Sequence, residues 1–390
     1  MFYNISMLTK PAGLILLWIL LLFSTLLLGA CGASHAQPTI LIVTKDQSIT
    51  SSLNPSRLLI ASALALEDHA HEEASSSPHV RHHVISYTGS EEDAMVEVES
   101  YIRSNKDVIA VVGDIGSSST RLLAQLAYRH SIPHVSFFAT DDDIFRENSW
   151  SFSYRAGLQQ ETDSLMGLIQ GPLNIRKVAV IASTNATVNG RWQALNSELD
   201  KANVQISALR YFERETSDFR PYLQDLQRSA DFDAMLIFVT SNQIEHILQQ
   251  IRLYPIGKPL IVSPVSIPPD GLADLTGLYD ELYSAVQRAL LGLQDGSNSV
   301  LNRYAERYRV AMGTHSLDPL GLWIYDGMDL LCELAESSQT RYDLYRKLLE
   351  YDQSRLFTWI SFDENRLIKR NTFTVVQIKN GRFEKVDGYD

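Results

Sequence analysis

The stretch 108–140 constrains the fold more than any other part of the chain. An apolar run, Val108-Ile109-Ala110-Val111-Val112, ends in Gly113-Asp114-Ile115-Gly116-Ser117-Ser118-Ser119-Thr120. Leu122, Leu123, Leu126 and Ala127 then recur at helical spacing, and a second run, 134–138, ends in Ala139-Thr140. This order predicts strand, hydroxyl-rich turn, helix and strand. A parallel βαβ unit brings the carboxyl ends of its strands to one sheet edge, so the Ser117 loop and Phe138-Ala139-Thr140 should line one crevice, where open α/β sheets bind ligands. A helix start leaves backbone N–H groups without partners, Gly116 permits close approach, and Ser117, Ser118, Ser119 and Thr120 add hydroxyls. Such a place suits a carboxylate or another small anion. The plainer alternative is that one serine caps the helix and the others face water.

The alternation extends along the chain. Strands are expected at 39–43, 80–87, 108–112, 134–138 and 150–155, with helices at 56–72, 92–103 and after Thr120. A second set follows, with strands at 178–181, 206–212, 234–239 and 260–262 between helices at 160–169, 187–202, 219–228 and 244–253. Strands alternating with helices of this length imply parallel sheets covered on both faces, and two sets imply two similar lobes. A strand at 282–286 carries the chain back to helices at 299–312, 320–336 and 342–350. The β-like segments 357–362, 373–378 and 382–386 close it, with turns at Asp363-Glu364-Asn365 and Asn380-Gly381. At 390 residues, 45% of them hydrophobic, the chain is long enough for two lobes.

A net charge of −12 with no Lys/Arg-rich stripe excludes an ordinary nucleic-acid binder. There is no G-x-S-x-G, Walker loop or H-E-x-x-H, and Gly113-Asp114-Ile115-Gly116 lacks the spacing of a dinucleotide fingerprint. A binding module with no cofactor is expected rather than an enzyme. Five histidines at 69, 71, 79, 82 and 83 read as a solvated helix-to-strand loop rather than a metal site. The acidic turn Asp141-Asp142-Asp143 reads as a helix start, where acids suit the dipole. Cys332, within an apolar helical pattern, reads as a small core residue.

At the amino terminus, Lys10 precedes an apolar run from Gly13 to Ala30 that ends in Leu28-Gly29-Ala30-Cys31. A charged start, an apolar stretch and small residues before a break describe a secretory signal. The quartet resembles a bacterial lipobox, which implies a signal peptide at 1–30, lipidation of Cys31 and a tether at 31–37. The alternative, an uncleaved membrane anchor, also places the remainder in the cell envelope outside the cytoplasmic membrane.

With these pieces in order, the chain resembles the type I periplasmic binding proteins, in the branch that binds branched-chain amino acids and amides. The residues that carry this are Val111-Val112-Gly113 with Ser117-Ser118-Ser119-Thr120, Ile132-Pro133 with Ala139-Thr140, Tyr325-Asp326-Gly327, and Phe362-Asp363-Glu364-Asn365 followed by Asn380-Gly381-Arg382-Phe383. The resemblance implies two doubly wound α/β lobes, 38–154 with 288–365 and 155–287 with 366–390, joined by three hinge crossovers near Tyr154, Gln287 and Arg366. It implies a small-molecule ligand in the interlobe cleft, held by Ser117, the Phe138 backbone and Thr140 on one lobe and by Thr187, Thr240 and Val265 on the other. It also implies a partner in an ABC permease. The amino-acid binders commonly carry aromatic residues at the first two of the far-side positions and an acid at the third. Thr187, Thr240 and Val265 supply neither ring nor charge, so a ligand ammonium would lack a partner there. Arg366 stands where the family usually has glycine. A ligand-sensing or structural lipoprotein acting on a membrane receptor or envelope enzyme is the alternative function.

Overall fold

The run Ile40-Leu41-Ile42-Val43 is apolar throughout because both of its faces are covered. In the computed structural model it forms strand β1 (Thr39–Lys45), with Ile40 and Ile42 in one hydrophobic core and Leu41 and Val43 in another. The structure describes residues 37–45, 55–72, 80–113, 116–139, 141–155, 157–213, 215–229, 231–267, 277–279, 281–296, 298–313, 319–356, 359–370 and 372–387. Residues 1–30, where a signal peptide is expected, and Cys31 lie outside them.

Among the described residues the first sheet has the order β2-β1-β3-β4-β5, all parallel, with β2 at Arg81–Tyr87, β3 at Val108–Val112, β4 at His134–Ser136 and β5 at Ser151–Ser153. Helices α1 (Pro55–Glu72), α2 (Glu91–Ser104), α3 (Ser117–His130) and the short α4 (Asp143–Glu147) connect them. The second sheet takes β6 (Lys177–Ser183), β7 (Gln205–Phe212), β8 (Ala234–Phe238), β9 (Leu260–Val262) and β10 (Leu282–Gln287), again parallel. Its helices are α5 (Leu158–Gln170), α6 (Ala186–Lys201), α7 (Arg220–Ser229) and α8 (Ser241–Leu253). Their inward faces form two cores, one on each side of the sheet.

After β10 the chain passes through α9 (Arg288–Asp295), whose Leu290 and Leu291 pack on the core containing Leu282. Helices α10 (Ser299–Met312), α11 (Pro319–Glu336) and α12 (Arg341–Glu350) then join the core of the first sheet. A third passage returns the chain to the second sheet, where β13 (Phe373–Lys379) adds antiparallel to β10 and β14 (Arg382–Lys385) adds antiparallel to β13. That edge departs from an all-parallel reading. Within that edge the β13–β14 hairpin follows from the Asn380-Gly381 turn, whose positive φ values of 50° and 69° suit a tight reversal. Three crossovers therefore join two α/β lobes across a cleft. They are tied by Ser153 N to Arg366 O at 3.0 Å, Arg288 N to Thr372 O at 2.9 Å and the Trp323 indole to Gln287 Oε1.

The late motif Tyr325-Asp326-Gly327 has a packing cause. A Cβ on Gly327 would fall 2.4 Å from the Phe137 ring, so α11 can approach β4 and β5 only through glycine. Arg366 takes φ 62° at the third crossover, a left-handed conformation that glycine adopts freely. Its guanidinium donates to Glu364 O and Phe145 O, contacts that glycine could not make. Of the histidines, His69 pairs with Glu336 at 3.0 Å and His83 stacks on Tyr101, so helix α1 and strand β2 hold them apart from the loop reading; His79 lies outside the described residues. Cys332 is fully buried.

Candidate functional site

Strand β3 ends at Gly113 with φ 137°, and a Cβ there would lie 2.2 Å from Val43 O, so β1 and β3 can converge at this edge only over glycine. After Asp114 and Ile115, which lie outside the described residues, Gly116 occupies the N-cap of α3 with extended backbone angles and no side-chain cap. The serines are therefore not a turn and none of them caps the helix; they form its first turn. Ser119 is buried and its hydroxyl donates to Gly116 O at 3.1 Å. Ser117 is half-buried and Ser118 exposed, and no hydrogen bond from either hydroxyl is present among the described residues. These two hydroxyls therefore belong to the helix start that follows the carboxyl end of β3.

His134 braces this edge from β4. It is fully buried, its Nε2 lies against Gly113 O, and its Nδ1 is 3.1 Å from Ser151 Oγ. A neutral ring with its proton on Nε2 satisfies both contacts, donating to the carbonyl and accepting from the hydroxyl. Burial pushes its pKa down to about 4, against the Gly113 carbonyl, which favours the charged form. The folded value lies below the ordinary 6.5, so the unfolded chain binds the extra proton first. Stability from this site is present above about pH 6.5 and is lost as pH falls toward 4, by about 3 kcal/mol. Urea unfolding across that range should show the loss, and a His134→Gln chain should lack that part of the slope.

Phe138 and Ala139 are buried beyond β4, and the Phe138 carbonyl accepts Arg155 Nη1 at 2.8 Å. Thr140 lies outside the described residues. Across the cleft, Thr187 belongs to the first turn of α6, and its side chain is likewise outside them. Thr240 is the N-cap of α8, where its amide and hydroxyl meet Gln243 Oε1 at 3.4 and 2.8 Å. That hydroxyl already has a structural partner. Val265, on the 3-10 turn Pro264–Ser266, packs against the core that contains Trp192.

The charged residues at this level had no motif to announce them. Glu161 on α5 and Arg191 on α6 are both buried and pair at 3.1 Å, and Ser263, just beyond β9, approaches Glu161 at 3.4 Å. Arg155, in the first crossover, is within electrostatic reach of both. Burial lowers its pKa to about 10, the like charge of Arg191 adds to this, and Glu161 and Asp142 oppose it. The Asp142 carboxylate lies 3.5 Å from where a Cβ on Gly157, the N-cap of α5, would stand, and has Arg146 at 3.9 Å. Burial pushes that carboxyl up, with Asp141, Asp143 and Asp363 adding to the effect of burial. The signal was faint but real. Glu161 shares a helix face with Leu165 and Leu168, and Arg191 lies beside Val188 and Leu195, so each charge sits where the helical period predicts core.

Residues 57–258 match the model of the receptor family ligand binding region. Similar solved structures include the branched-chain amino acid transporter substrate binding protein LivJ of Streptococcus pneumoniae in complex with isoleucine, at 17% identity and a TM-score of 0.67, covering 90% of this chain and 98% of that one. A putative branched-chain amino acid ABC transporter protein of Rhodospirillum rubrum aligns at 14% identity and a TM-score of 0.71, over 90% and 100% of the two chains. A solute binding protein of an ABC transporter from Rhodopseudomonas palustris, in complex with 3,4-dihydroxy benzoic acid, aligns at 18% identity and 0.65, over 90% and 94%. No curated protein matches the chain.

Proposed function

Because the chain belongs to the receptor family ligand binding region family, we propose that it captures a small polar molecule, an amino acid, amide or carboxylate, in its interlobe cleft by hinge closure and delivers it to an ABC importer. The observation that carries this reading is the first turn of α3, which follows β3 and where the Ser117 and Ser118 hydroxyls make no hydrogen bond among the described residues. Similar folds hold isoleucine and 3,4-dihydroxy benzoic acid, so one cleft architecture serves ligands with and without an ammonium group. The lobes of this reading are 38–154 with 288–365 and 155–287 with 366–390. Ligand meets the Ser117 lobe first, and contacts near Thr187, Thr240 and Val265 form as the second lobe closes. Cys31 anchors the protein by lipid to a membrane of the cell envelope, on the extracytoplasmic side, and membrane fractionation of a Cys31→Ser chain tests that attachment. The family model describes receptor domains, which favours ligand sensing as the second reading.

Ser117→Ala is expected to weaken ligand binding by about 1–3 kcal/mol, the range for a hydrogen bond to a charged group. Isothermal titration reads this directly, and an unchanged affinity would remove α3 from the site.

A further inference from the structure

We infer that Arg155 receives the acid group of the ligand, and that the cleft selects a carboxylate with no ammonium group. This rests on the cleft-binding reading above and makes its substrate class narrower. The four charged side chains at this level are not equally committed. Arg191 and Glu161 are buried against each other at 3.1 Å, and Ser263 takes the second Glu161 oxygen. Asp142 lies at the N-terminal end of α5 with Arg146 at 3.9 Å. Arg155 makes one hydrogen bond, to Phe138 O, and no ion pair among the described residues. A guanidinium has five N–H donors in a flat fork, and a carboxylate is the group that meets two of them in parallel.

Position strengthens the argument. Arg155 follows β5 at the first crossover, and its anchor, Phe138, follows β4, which lies beside β3 and the α3 start. Movement at the crossover would carry the guanidinium with it, so a ligand acid bridging the α3 turn and Arg155 couples capture to closure. Glu161, the acid within electrostatic reach of Arg155 that could pair with an ammonium, is already engaged by Arg191 and Ser263.

The test is isothermal titration of the full chain with ketoisocaproate, benzoate, leucine and isocaproamide. The first and third share a skeleton and differ in the ammonium, and the last lacks charge. Ketoisocaproate or benzoate should bind, leucine more weakly, and isocaproamide weakest. Arg155→Gln, which keeps a donor for Phe138 O, should lower carboxylate affinity about ten- to hundredfold, and Arg155→Lys should restore part of it. Circular dichroism of both variants should match the parent. Leucine binding as tightly as ketoisocaproate, or an affinity indifferent to Arg155→Gln, would overturn this inference and leave cleft binding intact. Silence from all four probes would overturn both.

Discussion

Replacing Arg355 with methionine should destabilise the protein by about 3–5 kcal/mol, the cost of leaving a buried carboxylate without its cation. Arg355 follows the short strand β11 (Asp352–Ser354), which pairs with β12 (Trp359–Ser361), and its side chain is only 9% exposed. It meets Asp326 at 3.2 Å, Asp329 at 2.5 Å and Glu333 at 2.8 Å, all on α11. Asp326 is fully buried and accepts the Tyr154 hydroxyl at 2.6 Å. Burial pushes the Asp326 carboxyl up, and Arg355 and Tyr154 oppose that shift. Burial also works against the Arg355 charge, yet Asp326, Tyr154 and Asp329 together raise its pKa. Urea unfolding should show the loss, and Asp326→Asn in the same chain should recover part of it. A loss below about 1 kcal/mol would mean that water replaces the guanidinium, contrary to this account.

Gly113→Ala should cost about 3–4 kcal/mol, because the new methyl meets the Val43 carbonyl at a φ of 137°. No rotamer relieves a clash with backbone, so β1 and β3 must separate where α3 begins. The same variant should therefore lose ligand affinity as well as stability. A stable chain with unchanged binding would show that this edge does not hold the α3 turn in place.

Much of the fold was legible because the central strands are covered on both faces and so read as unbroken apolar runs. The tight hairpin at Asn380-Gly381 was legible for a different reason, since only a few residues accept positive φ in succession. Strand β11 was not, because its three residues are all exposed and carry no apolar alternation. The antiparallel addition of β13 to β10 was also hidden, as pairing between strands distant in the chain is set by tertiary contact rather than by local pattern. The serine run was read as a turn ahead of a helix, whereas it forms the first turn of α3 itself. Gly116 takes the N-cap and moves the hydroxyls into the helix, which spacing alone does not decide. Arg155, Glu161 and Arg191 come together only through the crossover and two helices, so no short motif contains them.

The most direct test of ligand capture is the thermal midpoint of the full chain with and without amino acids, amides and small carboxylates. A ligand that binds only the folded state, at a hundredfold excess over its Kd, adds about 2.7 kcal/mol of stability. A clear rise is expected for at least one of them, reduced in Ser117→Ala. No rise across the panel, or a rise that Ser117→Ala leaves untouched, would contradict it.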